Sequence, residues 1–129
     1  MCACADEPGE AVFTINREYP EALSSLKVTK RKDLMEKYGD IVWDKIRVRV
    51  ETVDGLLHKW EFPCLDILCV DTEGTELDVL RGCDLERWRP KVVVLESWDD
   101  VSEADRYLAR KGLVRKDRNV HNNMYVLEE

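Results

Sequence analysis

With 129 residues the chain is long enough for one domain but too short for two independent cores, and it would bury roughly two thirds of the surface its unfolded form exposes. Apolar residues make up 44% and charged residues 36%, a balance that excludes a disordered or collagen-like chain. The 20 basic and 27 acidic residues leave a net charge of −7 and no basic stripe to neutralise a run of phosphates, so nucleic acid is not an expected partner.

Apolar runs of about four or five residues fall far short of the roughly 20 that span a bilayer. The N-terminus has no basic-then-apolar export signal, so a cytoplasmic protein off the membrane is expected. Five cysteines are an odd number, and two fall in or beside strand-like segments, which suits reduced thiols. Cys2-Ala3-Cys4 has neither a Cys-x-x-Cys partner nor a suitably spaced histidine, and no metal site is expected.

In chain order, Ala11–Ile15 carries a short strand pattern within a front segment, residues 1–45, that is otherwise irregular. A short helix fits near Asp33–Tyr38, and the cluster Lys27, Lys30, Arg31 and Lys32 reads as a solvated loop. Residues 46–129 form the α/β core of the single expected domain. Ile46–Val50 alternates strictly, as a strand with one wet face does. Leu65–Val70 and Val92–Leu95 are near-continuous apolar runs, the pattern of parallel strands covered on both faces. Between them Thr75–Arg81 reads as a helix capped by Thr75 with Asp78 and ended by Gly82. Strand, helix and strand make a βαβ unit with an expected right-handed crossover. Asp99-Asp100 can cap a further helix bearing Val101, Ala104, Tyr107 and Leu108, which Gly112 stops. Leu113–Arg115 and Met124–Leu127 then pair as antiparallel strands.

The chemistry concentrates in Leu65–Gly82. Asp71 closes a buried parallel strand and Glu73 follows in the turn, so both carboxylates project from the C-terminal edge of the sheet, where open α/β sheets bind ligands. Gly74 permits the tight turn, and the helix after it aims its positive N-terminus at the same place. Glu96 ends the next strand and should lie beside Asp71. Three acids on one rim could abstract a hydroxyl proton, hold a hydroxylated ligand or chelate a cation. Equally, Asp71 could only cap the next helix. The four tryptophans suit core or interface better than sugar stacking. His58 and His121 have no partner carboxylate evident from spacing.

The ordered series Asp71-Thr72-Glu73-Gly74, Glu76-Leu77, Leu80-Arg81-Gly82 and Arg89-Pro90-Lys91-Val92-Val93-Val94-Leu95-Glu96 resembles the signature of FkbM-type methyltransferases. Ser24-Ser25-Leu26, Val50–Leu57, Tyr107-Leu108 with Gly112, and Asn123-Met124-Tyr125-Val126 fit the same family. The resemblance implies methyl transfer from S-adenosylmethionine to a hydroxyl of a sugar, polyketide or similar small molecule. It also implies a partial Rossmann-like sheet, a parallel βαβ core with a C-terminal antiparallel hairpin, lacking the first strands. Asp71, Glu73 and Glu96 carry over as active-site candidates. The family's glycine-rich cofactor turn does not: Gly9, Gly39, Gly55, Gly74, Gly82 and Gly112 are all isolated. Cys2–Ala5 lie where the family's adenine edge would run, and no cofactor-binding residue can be assigned.

Two readings follow from the resemblance. One is a reduced or partial methyltransferase whose isolated chain binds S-adenosylmethionine weakly or not at all. The other is a non-catalytic α/β module that binds or oligomerises. A carboxylate metal hydrolase lacks histidine support. With the first strand of the family's sheet missing, the Leu65 strand would expose an edge, and a homodimer through that edge is expected unless Ile46–Val50 or Ala11–Ile15 folds back over it.

Overall fold

The computed structural model describes residues 2–16, 24, 26, 43–96, 102–119 and 121–128. The helix expected near Asp33–Tyr38 and the Lys27–Lys32 cluster lie outside them, as do Asp99 and Asp100.

Alternation at Ile46–Val50 does make a strand, and it extends over Trp43–Glu51 (β3), with Val48 and Val50 buried while Arg47 and Arg49 face water. Gly9–Asn16 (β2) pairs with it antiparallel, from Gly9 opposite Val50 to Ile15 opposite Asp44. On its other side Cys2–Cys4 (β1) runs parallel, and the three form a sheet in the order β1-β3-β2. The front segment is therefore not irregular at residues 2–16. Two strands form there because β3 offers both its edges, a long-range pairing that three residues of Cys-Ala-Cys cannot announce.

Val53–Lys59 follows as helix α1, which the sequence did not suggest because Gly55 sits inside it. Thr52 compensates at the N-cap, its hydroxyl accepting the Gly55 amide at 2.9 Å. Val53 and Leu57 face inward.

The second sheet has the order β4-β5-β7-β6. Ile67–Val70 (β4) and Val92–Glu96 (β5) are parallel, in register from Ile67 opposite Val92 to Val70 opposite Leu95. Asn122–Leu127 (β7) runs antiparallel to β5, and Leu113–Arg118 (β6) antiparallel to β7, as the hairpin pattern predicts. Glu76–Arg81 (α2), Leu85–Trp88 (α3) and Ser102–Ala109 (α4) lie between the strands in sequence. Their buried Val79, Leu80, Leu85 and Leu108 cluster with Leu68, Val70, Val93, Leu95, Leu113 and Tyr125, which share one face of the sheet.

The register sends Ile67, Cys69, Val92, Val94, Met124 and Val126 to the other face. That face is open: Ile67 is 60% exposed, Met124 36%, Cys69 is exposed, and the valines are half-buried. The expectation of two covered faces is thus corrected. Alternating positions on β4 and β5 are all apolar, as in a strand buried on both sides, but the core helices cover only one.

Gly82 does end α2, yet for a different reason from the one expected. Its φ of −78° is open to any residue, so no left-handed cap is involved. Instead the Ala5 carbonyl is seated against it, and a Cβ on Gly82 would lie 2.1 Å from that oxygen. Asp54 donates its amide to the Gly82 carbonyl at 3.1 Å, so the end of β1, the start of α1 and the end of α2 meet at one glycine. Gly112 stops α4 with φ of 79°, a conformation that favours glycine.

Candidate active site

Asp71 and Glu96 become neighbours through the β4–β5 register. Val70 lies opposite Leu95, so the next residues on the two parallel strands, Asp71 and Glu96, stand side by side at the C-terminal edge. Their side chains are hydrogen-bonded carboxyl to carboxylate. This bond is the largest influence on Glu96; burial and the negative charges of Asp71, Glu73 and Glu76 add to it, and together they push the Glu96 carboxyl up to about 7. All three acids expected at the rim are therefore brought together.

Glu73 adopts φ of 54° and Gly74 φ of 108°, two consecutive left-handed residues that turn the chain sharply from β4 towards α2. A non-glycine residue in that region is held there by its surroundings. The restraint is Glu76. Its Oε1 accepts from the Thr72 amide at 3.2 Å, the Thr72 hydroxyl at 3.1 Å and the Gly74 amide at 2.9 Å. The expected capping role of Thr75 is corrected, since its side chain makes no cap hydrogen bond. Thr75 is instead buried, 4% exposed, and a carboxylate one residue later ties the turn back on itself.

A histidine also reaches this edge. Asn122 is the register partner of Glu96, and His121 precedes it at the start of β7. Spacing along the chain could not reveal this, because 24 intervening residues return antiparallel to the same rim. Asn123 follows, fully buried, with its side-chain amide unpartnered among the described residues. His58 is elsewhere. Its Nδ1 lies 2.7 Å from the Asp54 carbonyl and its Nε2 2.6 Å from Arg87 Nη1. A carbonyl only accepts and a guanidinium only donates, so Nδ1 carries the proton and the ring is a neutral brace between α1 and α3. Trp88 joins that brace through an Nε1 bond of 2.8 Å to Asp54 and an edge contact with the His58 ring, the structural role expected of a tryptophan.

A cavity of about 370 Å³, lined by Asp6, Asp54, Arg81, Cys83, Tyr107 and Lys111 among others, lies where the start of α1 meets the end of α2. None of the three rim carboxylates lines it. Burial pushes the Cys83 thiol beside it up to about 12, with Asp54 and Asp84 adding to the shift, so this cysteine is an inert packing group. No three His, Cys, Asp or Glu groups among the described residues are arranged to hold a metal ion. All five cysteines are free.

A family model described as the methyltransferase FkbM domain matches residues 1–114. The chain belongs to the FkbM methyltransferase family. It is also 31% identical over 94 residues to methyltransferase sdnD of Sordaria araneosa, a match covering 65% of this chain and 34% of that protein. The chain thus spans about a third of the length of the curated relative it matches. No solved structure matches it. The FkbM match contains Asp71, Glu73, Glu76 and Glu96, and it ends at Val114, ahead of β7 and His121. No described helix of this FkbM chain is long and apolar enough to cross a membrane.

Proposed function

We propose that this chain forms the acceptor side of an S-adenosylmethionine-dependent O-methyltransferase, with Asp71 and Glu96 holding the acceptor's hydroxyl and taking up its proton. The observation that carries the proposal is the carboxyl pair at the ends of adjacent parallel strands. A carboxyl pushed up to about 7 exchanges its proton near neutrality, where a general base for a weakly acidic hydroxyl works best. When bound, S-adenosylmethionine would supply an activated methyl group. The residues described do not fit its adenosine end: the glycines are isolated, and no backbone cradle of glycine-rich type stands at the rim. The chain's own part is therefore confined to the acceptor. Asp71, exposed on the edge, accepts the hydroxyl's hydrogen bond; Glu96 beside it takes or returns the proton; Glu73 and Glu76 keep the rim negative and the turn closed. The acceptor class is a small hydroxylated molecule such as a sugar or polyketide.

The sheet order β4-β5-β7-β6, with one parallel pair and a reversed β7, supports a Rossmann-like methyltransferase sheet. A second reading, a non-catalytic binding module, is favoured by the open apolar face of that sheet.

Replacing Asp71 by Asn tests whether this carboxylate holds a ligand or only caps the next helix. In a binding screen of simple sugars and polyols by ligand-observed NMR, the native chain should bind at least one hydroxylated compound and D71N should weaken it by about tenfold or more, the worth of one charge-assisted hydrogen bond. Equal affinity in D71N, with only stability reduced, would leave Asp71 as a structural cap.

A further inference from the structure

We propose that Glu76 is the positioning residue of the acidic rim: by tying down the turn after β4 it fixes the backbone of Asp71 so that the Asp71 carboxylate meets Glu96. The inference rests on the acidic pair put forward above. Glu76 acts in it as a fixed hydrogen-bond acceptor rather than as a further rim charge.

The end of the strand ladder shows why Asp71 needs such a hold. Pairing between β4 and β5 stops at Val70 opposite Leu95, so Asp71 lies one residue beyond the last strand position. Glu73 and Gly74 then take φ of 54° and 108°. Thr75 does not close this turn, because its side chain makes no cap hydrogen bond. Glu76 does: three donors, the Thr72 amide, the Thr72 hydroxyl and the Gly74 amide, converge on its Oε1 at 2.9 to 3.2 Å. With Val70 held in the ladder and Thr72 held at two donors, the backbone of Asp71 is fixed on both sides. Bonding between two carboxyl groups depends on that hold, since a hydrogen bond weakens steeply once its distance or angle drifts.

The order of influences on Glu96 separates the acceptor from the charge. The hydrogen bond with Asp71 comes first, followed by burial, the charge of Asp71, the charge of Glu73 and, last, the charge of Glu76. From β7 the uncharged Asn122 stands opposite Glu96, with His121 before it. Glu76 can therefore move Glu96 far only through Asp71.

Two variants cross the two roles. Glu76→Gln removes the charge and leaves an oxygen in place for the three donors. Glu76→Asp keeps the charge but withdraws the oxygen by one methylene, about 1.5 Å, which stretches all three bonds out of range. In a carbon-13 carboxyl NMR titration Glu96 should stay nearer 7 than 4.5 in Glu76→Gln and fall nearer 4.5 than 7 in Glu76→Asp. Hydrogen exchange at the Thr72 and Gly74 amides should speed up in Glu76→Asp alone. A role through charge reverses that order. If Glu76→Asp does not fold, Glu76→Gln decides: Glu96 still raised supports the proposal, and Glu96 at 4.5 overturns it. A raised native Glu96 with the order reversed, or with the two variants alike, overturns Glu76 as the positioning residue and leaves the acidic pair standing. A native Glu96 near 4.5 removes the pair itself, and the role of Glu76 with it.

Discussion

Gly82→Ala is expected to destabilise the chain by about 3 kcal/mol, the upper range for forcing an extra carbon into a packed site. The cause is steric rather than conformational. At φ of −78° alanine is otherwise welcome, and at the end of a helix it would even be favoured. The added Cβ, however, would stand 2.1 Å from the Ala5 carbonyl oxygen and 3.1 Å from its carbon, both backbone atoms with no rotamer to yield. The strand must then lift. Ala5 donates to the Glu51 carbonyl at 3.1 Å and the Gly82 carbonyl accepts from Asp54, so lifting also strains the joint between α1 and α2. In a thermal melt the midpoint should fall by about 10 °C. Gly9→Ala is the control, because nothing lies within 4 Å of its added carbon and no comparable loss is expected. A Gly82→Ala midpoint within a degree or two of native would show that β1 is not seated on α2.

S-adenosylmethionine should bind the isolated chain weakly, with a dissociation constant of about 1 mM or more, equivalent to no more than about 4 kcal/mol of binding free energy. An adenosine presents ring nitrogens and ribose hydroxyls that cost about 1 to 3 kcal/mol each when buried without partners. The residues described supply a carboxylate rim but no glycine-rich cradle for those groups. Calorimetric titration checks this directly. A low-micromolar constant for the chain alone would mean that it holds a complete cofactor site and that confining it to the acceptor side is wrong.

The parts of the fold visible in the sequence are those in which local pattern and tertiary role coincide. Ile46–Val50 alternates because one face of β3 is wet, and Val92–Val94 is β-branched because β5 is central in its sheet. Asp71 and Glu96 could be paired from the sequence because parallel strands joined by one short crossover end at the same rim. What stayed hidden depends on contacts between distant segments. Three residues make β1 only because β3 receives them, and α1 survives Gly55 because Thr52 caps it. Glu76 was legible as a motif residue, but capping templates look to the Thr75 hydroxyl, whereas the carboxylate one position later reaches back to Thr72 and Gly74. His121 joins the rim through the β5–β7 register, which no sequence spacing encodes. The apolar outer positions on β4 and β5 misled in the opposite direction, since composition reports what a face could bury rather than what covers it.

The proposed base is a Glu96 carboxyl held protonated towards neutral pH by its bond to Asp71, and a carbon-13 carboxyl NMR titration of Glu96 in the native chain and in D71N measures that hold. Glu96 should titrate at about 7 in the native chain and move down towards the ordinary value of 4.5 in D71N, which lacks the carboxylate that accepts its hydrogen bond. Linkage fixes the accompanying sign. A folded-state value above the unfolded one means that the folded form binds the proton more tightly, so this contribution to stability is present in full below pH 4.5 and is lost as pH rises to about 7. D71N should therefore flatten the decline across that window. Native Glu96 titrating near 4.5, or unmoved by D71N, would contradict the influence of Asp71 on Glu96 and with it the proposed base.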